Sequence, residues 1–334
     1  MKPTAFHAPA HFFRPSRSHA VVVGGGTMGA GVAVVLCRAG CKVTVLETQS
    51  ERAALVPGLV QEFLEQQEAA GQLHLLQVKQ SLADVPWSEV DVVIECIPER
   101  LDIKQALFAQ LEKYARPDTL LASNSSSFPI SDIARGLNSA ERMIGLHFFM
   151  PAHLIPLVEV VCGQATARDA ADNLHAFMYQ CGMVPVLVKK DLPGFLANRL
   201  QHALAREAFS MIDAGIASPE DVDAAVRYGF GFRFLAAGPV LQREHAGLEV
   251  HCAAGAMIYP SLASNTEPSA CLADKVAAGH FGLKTGQGFY TWTDEEVAQE
   301  RKRYQSALLD GLNIIKADLP VIADAAYAEE RGNE

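Results

Sequence analysis

The sequence predicts an α/β protein: a doubly wound parallel sheet in the N-terminal part, followed by an all-α C-terminal domain. Three observations carry this expectation. Short apolar runs alternate with helical periodicities from His19 to Val188, a glycine-rich turn lies between the first run and the first helix, and beyond Asp191 the apolar spacing is helical. At 334 residues the chain exceeds one typical core, which also favours two domains.

Strands are expected at His19 to Val23, Lys42 to Leu46, Asp91 to Cys96, Thr119 to Ala122, Arg142 to Phe148 and Val184 to Val188. Helices fit between them at Gly31 to Ala39, Glu51 to Ala70, Leu101 to Tyr114 and Thr166 to Gln180. Asp191-Leu192-Pro193-Gly194 interrupts the pattern and marks a boundary. After it, Phe195 to Ala214 has helical spacing, Ser218-Pro219-Glu220-Asp221 is a helix start with proline just inside, and Gly238-Pro239 opens another helix. Residues 245–263 are rich in small and apolar side chains, which suits a buried or self-associating helix, and Asp294 to Asp310 reads as a charged, exposed one. The expected organisation is a flexible leader over 1–18, a first domain over 19–190, a helical domain over 191–296 and a helical tail over 297–334.

Composition excludes several classes. Hydrophobic residues make up 49% and charged residues 20%, ordinary for a folded globular chain, and the net charge of −10 argues against nucleic acid or an anionic membrane as partner. No apolar run is long enough to span a bilayer. Residues 1–18 are polar and lack the apolar core of a secretory signal; their basic, acid-free character leaves an organelle transit peptide as the alternative to a leader. The seven cysteines are scattered without a Cys-x-x-Cys pair, so neither a disulfide framework nor a metal site is expected, and a reducing, cytoplasmic setting fits.

The chemistry begins at Gly24-Gly25-Gly26-Thr27-Met28-Gly29, in the order strand, glycine turn, helix. Gly24 permits a tight turn, Gly26 lets backbone approach a diphosphate, and Gly29 lets helix and strand pack closely, while the amides of Thr27 and Met28 open the helix toward the anion. Glu47 ends the second strand, where an acid accepts a ribose 2′-hydroxyl and repels the extra phosphate of NADP. A Rossmann-type domain that prefers NAD follows, with Arg52 the one nearby cation that keeps NADP in view. In such sheets the site lies beyond the carboxyl ends of the strands, where Ile97-Pro98-Glu99, Ser123 to Ser127 and His147 fall.

Residues 143–161 place one histidine and one carboxylate on two apolar runs joined by a proline-bearing loop. Paired as an antiparallel ribbon turning near His153, they put His147 opposite Glu159. Such a pair makes a general base with a fixed tautomer. The segment alone equally suits a core histidine beside an edge glutamate.

Seven ordered stretches resemble the 3-hydroxyacyl-CoA dehydrogenases. They are Val22 to Gly29, Glu95 to Glu99, Ala122 to Ser127, Leu146 to Phe149, Pro156 to Val160, Lys190 to Arg199 and Gly282 to Tyr290. The resemblance runs from about residue 19 to 295. It implies NAD-dependent oxidation of the 3-hydroxyl of an L-3-hydroxyacyl-CoA or a related small 3-hydroxy acid, by a homodimer. By resemblance His147 is the base, Glu159 its partner, and Ser126 and Asn198 the groups that hold the substrate oxygen. Glu99 and Lys104 correspond to residues near the nicotinamide and its ribose, and Ile97 and Asn124 belong to the same cofactor-facing motifs.

Two departures bear on the substrate. The family's usual asparagine after His-Phe-Phe is Met150 here, and the stretch Ala53 to Val78, where acyl-CoA enzymes of the family carry cations for the CoA phosphates, has no lysine or arginine but holds Glu62, Glu65 and Glu68. The segment Arg227 to Pro239 is similar to relatives acting on free acids, such as L-gulonate 3-dehydrogenase (lambda-crystallin) and L-carnitine dehydrogenase, and Arg233 could bind a substrate carboxylate. That leaves a dehydrogenase specific for a free hydroxy acid as one alternative and a catalytically inactive NAD-binding structural protein as another.

Overall fold

The computed structural model describes residues 14–322, which divide into two units. The first comprises the chain through Asn198 together with residues 318–322, and the second is Arg199–Ala317.

The first unit is built on one sheet of eight strands: β1 (His19–Val23), β2 (Lys42–Leu46), β3 (Leu76–Lys79), β4 (Val92–Glu95), β5 (Leu120–Ser123), β6 (Met143–Phe148), β7 (Leu157–Cys162) and β8 (Val184–Val188). Their order is β3-β2-β1-β4-β5-β6-β7-β8. Every neighbouring pair is parallel except β6 with β7. The central strands are apolar on both faces because helices cover both; all of β1, β4, β5 and β6 is buried.

The helices of this unit are α1 (Thr27–Arg38), α2 (Ser50–Glu65), α3 (Leu101–Tyr114), the single turn α4 (Ile130–Ile133), α5 (Arg168–Gln180) and the start of α6 (Ala197–Asp213). Helix α1 is buried continuously from Gly29 to Cys37, which explains why it is apolar all round. It starts at the glycine turn itself, earlier than the apolar periodicity suggests. Helix α2 stops at Glu65, short of the expected Ala70, because Glu68 enters the left-handed region at φ 55° while the amides of Gln67 and Ala69 close on Leu64. Strand β3 is absent from the sequence reading. Four residues after a loop carry too little alternation to stand out.

The two compact units divide inside α6, past the proline-glycine interruption. Asp191 Oδ2 accepts from the Ser131 amide at 2.6 Å, and Glu159 Oε1 accepts from the amides of Leu196 and Ala197 at 3.0 and 2.8 Å. These bonds tie residues 191–197 to the sheet. Helix α11 (below) belongs to the second unit, while Ile322 packs against the core of the first, beside Gly182. Of the leader, residues 1–13 lie outside the described residues. Its end, Pro15–Arg17, is a 3-10 turn with Pro15 and Ser18 buried.

The second unit contains the rest of α6 and helices α7 (Pro219–Ala224), α8 (Pro239–Ala246), α9 (Leu248–Ile258), α10 (Ala270–Ala277) and α11 (Asp294–Ile315). Ser218 caps α7 by accepting from the Asp221 amide, and Thr293 with Glu296 forms a capping box on α11.

His153, in the β6–β7 loop, stacks on Phe63 with ring centroids 4.0 Å apart and meets Gln66 through Nε2, while its buried Nδ1 has no partner. Burial and the Arg38 charge lower its pKa from 6.5 to about 4. The unfolded chain therefore takes up a proton below pH 6.5 that the folded chain refuses until about pH 4, so stability falls as pH falls through that window. Replacing His153 by Leu should remove up to about 3 kcal/mol of this acid destabilisation. Urea unfolding of both proteins at pH 7.5 and 4.5 checks it, and an unchanged pH dependence would refute the assignment.

Candidate active site

The carboxyl ends of the parallel strands share one edge, and five of them carry the site residues in spatial order. Glu47 follows β2, the glycine turn follows β1, Glu95 and the Ile97-Pro98-Glu99 loop end β4, Ser123 to Ser127 end β5, and His147 stands near the end of β6. Four inter-strand steps of about 4.8 Å make this row roughly 19 Å long.

At the glycine turn the backbone imposes the residue types. Gly24 has φ 108°, and a side chain there would collide with the Cys96 carbonyl; a Cβ on Gly29 would lie 1.9 Å from the Gly24 oxygen. Gly26 faces open space, with nothing within 4 Å of where its Cβ would be. No side chain caps α1, and its first intrahelical bond comes from the Ala30 amide, so those of Thr27, Met28 and Gly29 face outward over the Gly26 gap. Those amides and that opening fit a diphosphate. Glu47, 7% exposed, accepts from the amides of Gly25 and Gln49, both at 2.9 Å, which holds its carboxylate beside the turn.

Next to Glu47 lies a cleft of about 540 Å³ lined by Val23, Leu46, Ile97, Ile103, Leu107 and Tyr114, with Thr48, Gln80, Ser81 and Gln110 supplying polar atoms. Sequence reasoning names only Ile97 of these, because the others read as ordinary core positions.

At β4, Glu95 is fully buried. Its Oε1 accepts from Lys104 Nζ at 2.6 Å and the Ile97 amide at 2.8 Å, and its Oε2 accepts from Ser123 Oγ at 2.6 Å. Lys104 is 1% exposed, so it is no free surface cation. Its ammonium also meets Glu99 Oε2 at 3.2 Å and the Ile97 carbonyl at 3.4 Å. Glu99 Oε1 takes the hydroxyls of Ser125 and Ser127 and the amides of Ser126 and Ser127. Burial alone would raise the Glu99 carboxyl, but those hydroxyls, the Lys104 charge and the Ser127 amide outweigh it and hold the pKa at about 2.

At β6, the register pairs His147 directly with Glu159 of β7. His147 Nδ1 lies 2.7 Å from Glu159 Oε2; the glutamate is fully buried and the histidine 4% exposed. Burial pushes the Glu159 carboxyl up, yet the His147 hydrogen bond and the amides of Ala197 and Leu196 bring its pKa below the usual value. A carboxylate only accepts, so Nδ1 carries the proton and Nε2 keeps its lone pair. Phe149 and Phe195 pack on the imidazole at 4.5 and 5.7 Å between centroids. Asn124 Oδ1 accepts from the Phe148 amide, joining the β5 loop to β6, and Asn198 Nδ2 donates to the Ser126 carbonyl at 3.3 Å.

Most of the sequence-chosen residues thus share one edge of one unit. Arg233 does not. It lies in the helical unit, exposed on the 3-10 turn Gly231–Leu235. Glu95 and Ser123, which hold the β4 and β5 loops together, were visible in sequence only as motif letters.

Two family models cover the chain: "3-hydroxyacyl-CoA dehydrogenase, NAD binding domain" over residues 19–192 and "3-hydroxyacyl-CoA dehydrogenase, C-terminal domain" over 194–292. The 5-formyl-3-hydroxy-2-methylpyridine 4-carboxylate 5-dehydrogenase of Mesorhizobium japonicum is 31% identical over 82% of this chain and 91% of its own. The crystal structure of an enzyme of that activity, described as an NAD+ dependent dismutase, superposes with TM-score 0.84 at 28% identity, over 89% of this chain and 98% of that one. The 3-hydroxybutyryl-CoA dehydrogenase of Escherichia coli K12 superposes with TM-score 0.68 at 33% identity, over 82% of this chain and 59% of that one.

The Glu159 contact dictates an observable tautomer. In ¹⁵N-labelled protein at pH 8, His147 should show a protonated Nδ1 and a bare Nε2, and Glu159→Gln should populate the opposite tautomer. Equal tautomers in the unsubstituted protein would contradict the hydrogen bond.

Proposed function

The chain belongs to the 3-hydroxyacyl-CoA dehydrogenase family and is an NAD-dependent oxidoreductase, and we propose that it oxidises the secondary alcohol of a small free acid at the edge row from Glu47 to His147. The observation that carries the reading is the buried His147–Glu159 pair at 2.7 Å, on the same strand edge as the glycine turn.

The residues have the following duties. The amides after Gly26 hold the cofactor diphosphate, Glu47 accepts from the ribose hydroxyls and disfavours a 2′-phosphate, and the cleft beside Leu46 and Tyr114 takes the adenine. NAD, when bound, supplies the hydride acceptor. His147 Nε2 removes the hydroxyl proton of the substrate while Glu159 stabilises the imidazolium through Nδ1. Ser126 and Asn198, linked to each other, orient the oxygen that becomes a carbonyl. In the reverse direction His147 returns the proton to the ketone oxygen.

Two observations support a free acid. Helix α2 and the turn Ala70–Leu75 that follows it present no lysine or arginine after Arg52, so a CoA diphosphate would find carboxylates there. The superposition is also tighter on the pyridine-carboxylate enzyme, 0.84, than on the CoA enzyme, 0.68. Arg233 stays a candidate for the substrate carboxylate on its residue type alone. The 33% identity to a CoA-ester dehydrogenase favours the second reading, an L-3-hydroxyacyl-CoA substrate. Seven free cysteines support a reducing compartment, the cytoplasm. Among the described residues no helix is long and apolar enough to cross a membrane.

NADH formation measured in parallel with 3-hydroxybutyryl-CoA, L-gulonate and L-carnitine tests the substrate class. Turnover of the CoA ester alone would remove the free-acid reading, and turnover of none with NAD still bound would favour a binding-only protein. On whichever substrate reacts, His147→Gln should lower kcat by about 10³-fold while the NAD Kd stays within about twofold.

The second unit supports self-association. Among its residues only Gly255 and Ser269 are buried, and on and just after α9 Met257 and Tyr259 are 82% and 73% exposed. So much apolar surface on a helical unit calls for a partner, and a second copy of the chain is the proposal. Light scattering behind size exclusion should give twice the chain mass, and Met257→Glu with Tyr259→Glu should return it to one; a monomeric parent protein would refute this.

A further inference from the structure

The cluster of Glu95, Glu99 and Lys104 holds two carboxylates against one ammonium, and hydride transfer as described uses none of the three directly. Resting on the reading of the edge as an NAD site, we propose that this cluster discriminates between the oxidised and reduced forms of the nicotinamide, with Glu95 as the positioning residue that assembles it.

Lys104 has three protons and three acceptors: Glu95 Oε1 at 2.6 Å, Glu99 Oε2 at 3.2 Å and the Ile97 carbonyl at 3.4 Å. Its charge is spent inside the cluster. Glu95 Oε1 accepts from the Lys104 ammonium and the Ile97 amide, and Oε2 takes the Ser123 hydroxyl, a donor set that suits a carboxylate paired with the lysine. Glu99, with a pKa of about 2, is ionised at any working pH. One negative charge is therefore left over, and it falls to Glu99, whose side chain is 34% exposed at the rim of the cluster.

The place matters. The cluster sits at the ends of β4 and β5, between the diphosphate turn on β1 and the proton acceptor on β6, where a dinucleotide spanning the row would lay its nicotinamide end. The oxidised ring carries one positive charge and the reduced ring none. When the carbinol carbon gives up its hydride, two electrons and a hydrogen pass to the ring, whose charge is cancelled, while the hydroxyl proton goes to His147. A fixed negative charge attracts the ring only before that step. It strengthens NAD+ binding relative to NADH and helps the reduced cofactor leave.

Glu95 makes this arrangement rigid. One buried side chain connects α3 through Lys104, the β4 loop through Ile97 and the β5 loop through Ser123, whose hydroxyl in turn accepts from the Ser125 amide at 3.2 Å.

The test is the ratio of dissociation constants, Kd(NAD+)/Kd(NADH), measured by calorimetry and by NADH fluorescence without any substrate. Glu99→Gln and Glu95→Gln should each raise the ratio by about tenfold, and Glu99→Asp, which keeps the charge, should leave it within about threefold. Ratios unmoved in both glutamine variants, or both constants rising equally, would overturn the proposal while leaving the NAD site intact. Binding of neither cofactor by the unsubstituted protein would overturn the site itself. Should Glu95→Gln fail a thermal-melt check of folding, Glu99→Gln, at a partly exposed position, decides alone.

Discussion

Keeping a carboxylate dry against the imidazole of His147 is the constraint on which this structure turns. Glu159 is fully buried, and burial by itself works against its charge. The charge is retained because three donors converge on it: the imidazole from β6 and the amides of Leu196 and Ala197 from the segment after β8. Those same bonds draw residues 191–197 onto the sheet and bring Asn198 to the Ser126 carbonyl. A single buried anion thus orients the histidine and also anchors the start of α6, so the chemistry and the boundary between the units have one physical cause.

The same device recurs along the edge. Glu47, Glu95 and Glu159 lie on or just beyond three different strands, each is less than a tenth exposed, and each accepts at least one backbone amide from a neighbouring loop. Glu47 and Glu95 stand at the carboxyl ends of parallel strands, where the following loops leave amides pointing outward, whereas Glu159 lies near the start of β7, antiparallel to β6, and takes the amides that lead into α6; each anion satisfies backbone donors that would otherwise be unpaired. The three differ in what else they hold: a glycine turn, a lysine, a histidine. The roles proposed for this row, in binding, charge and proton transfer, thus rest on buried anions that also satisfy backbone amides.

How legible this was depended on whether the signal was local. The strand, glycine turn and helix from His19 to Arg38 were readable because strain and close approach exclude other residues there, as the collision at Gly24 illustrates. The His147–Glu159 pairing was readable because antiparallel register around one loop is symmetric, and the register bears this out. Lys104 was legible only through the resemblance. Its ion pair with the buried Glu95 lies on another element, and nothing in the local pattern of α3 announces its burial. Strand β3 and the left-handed Glu68 that ends α2 early were missed for the opposite reason, being local features too short for a period to develop.

Reaction type and substrate class are encoded in different parts of the molecule, and that separation explains why one is sharper than the other. The proposed reaction needs a base, a hydride acceptor site and a held oxygen, and the candidates for all three lie along one sheet edge of the first unit, where one-residue errors would turn side chains to the wrong face. The substrate's remaining groups have to be met by residues outside that row. On α2 the relevant feature is a lack of cations over a whole helix after Arg52, which many sequences satisfy. Selection for a carboxylate rather than a diphosphate can thus shift by changing a few surface charges, while the buried glutamates that order the sheet edge stay as they are.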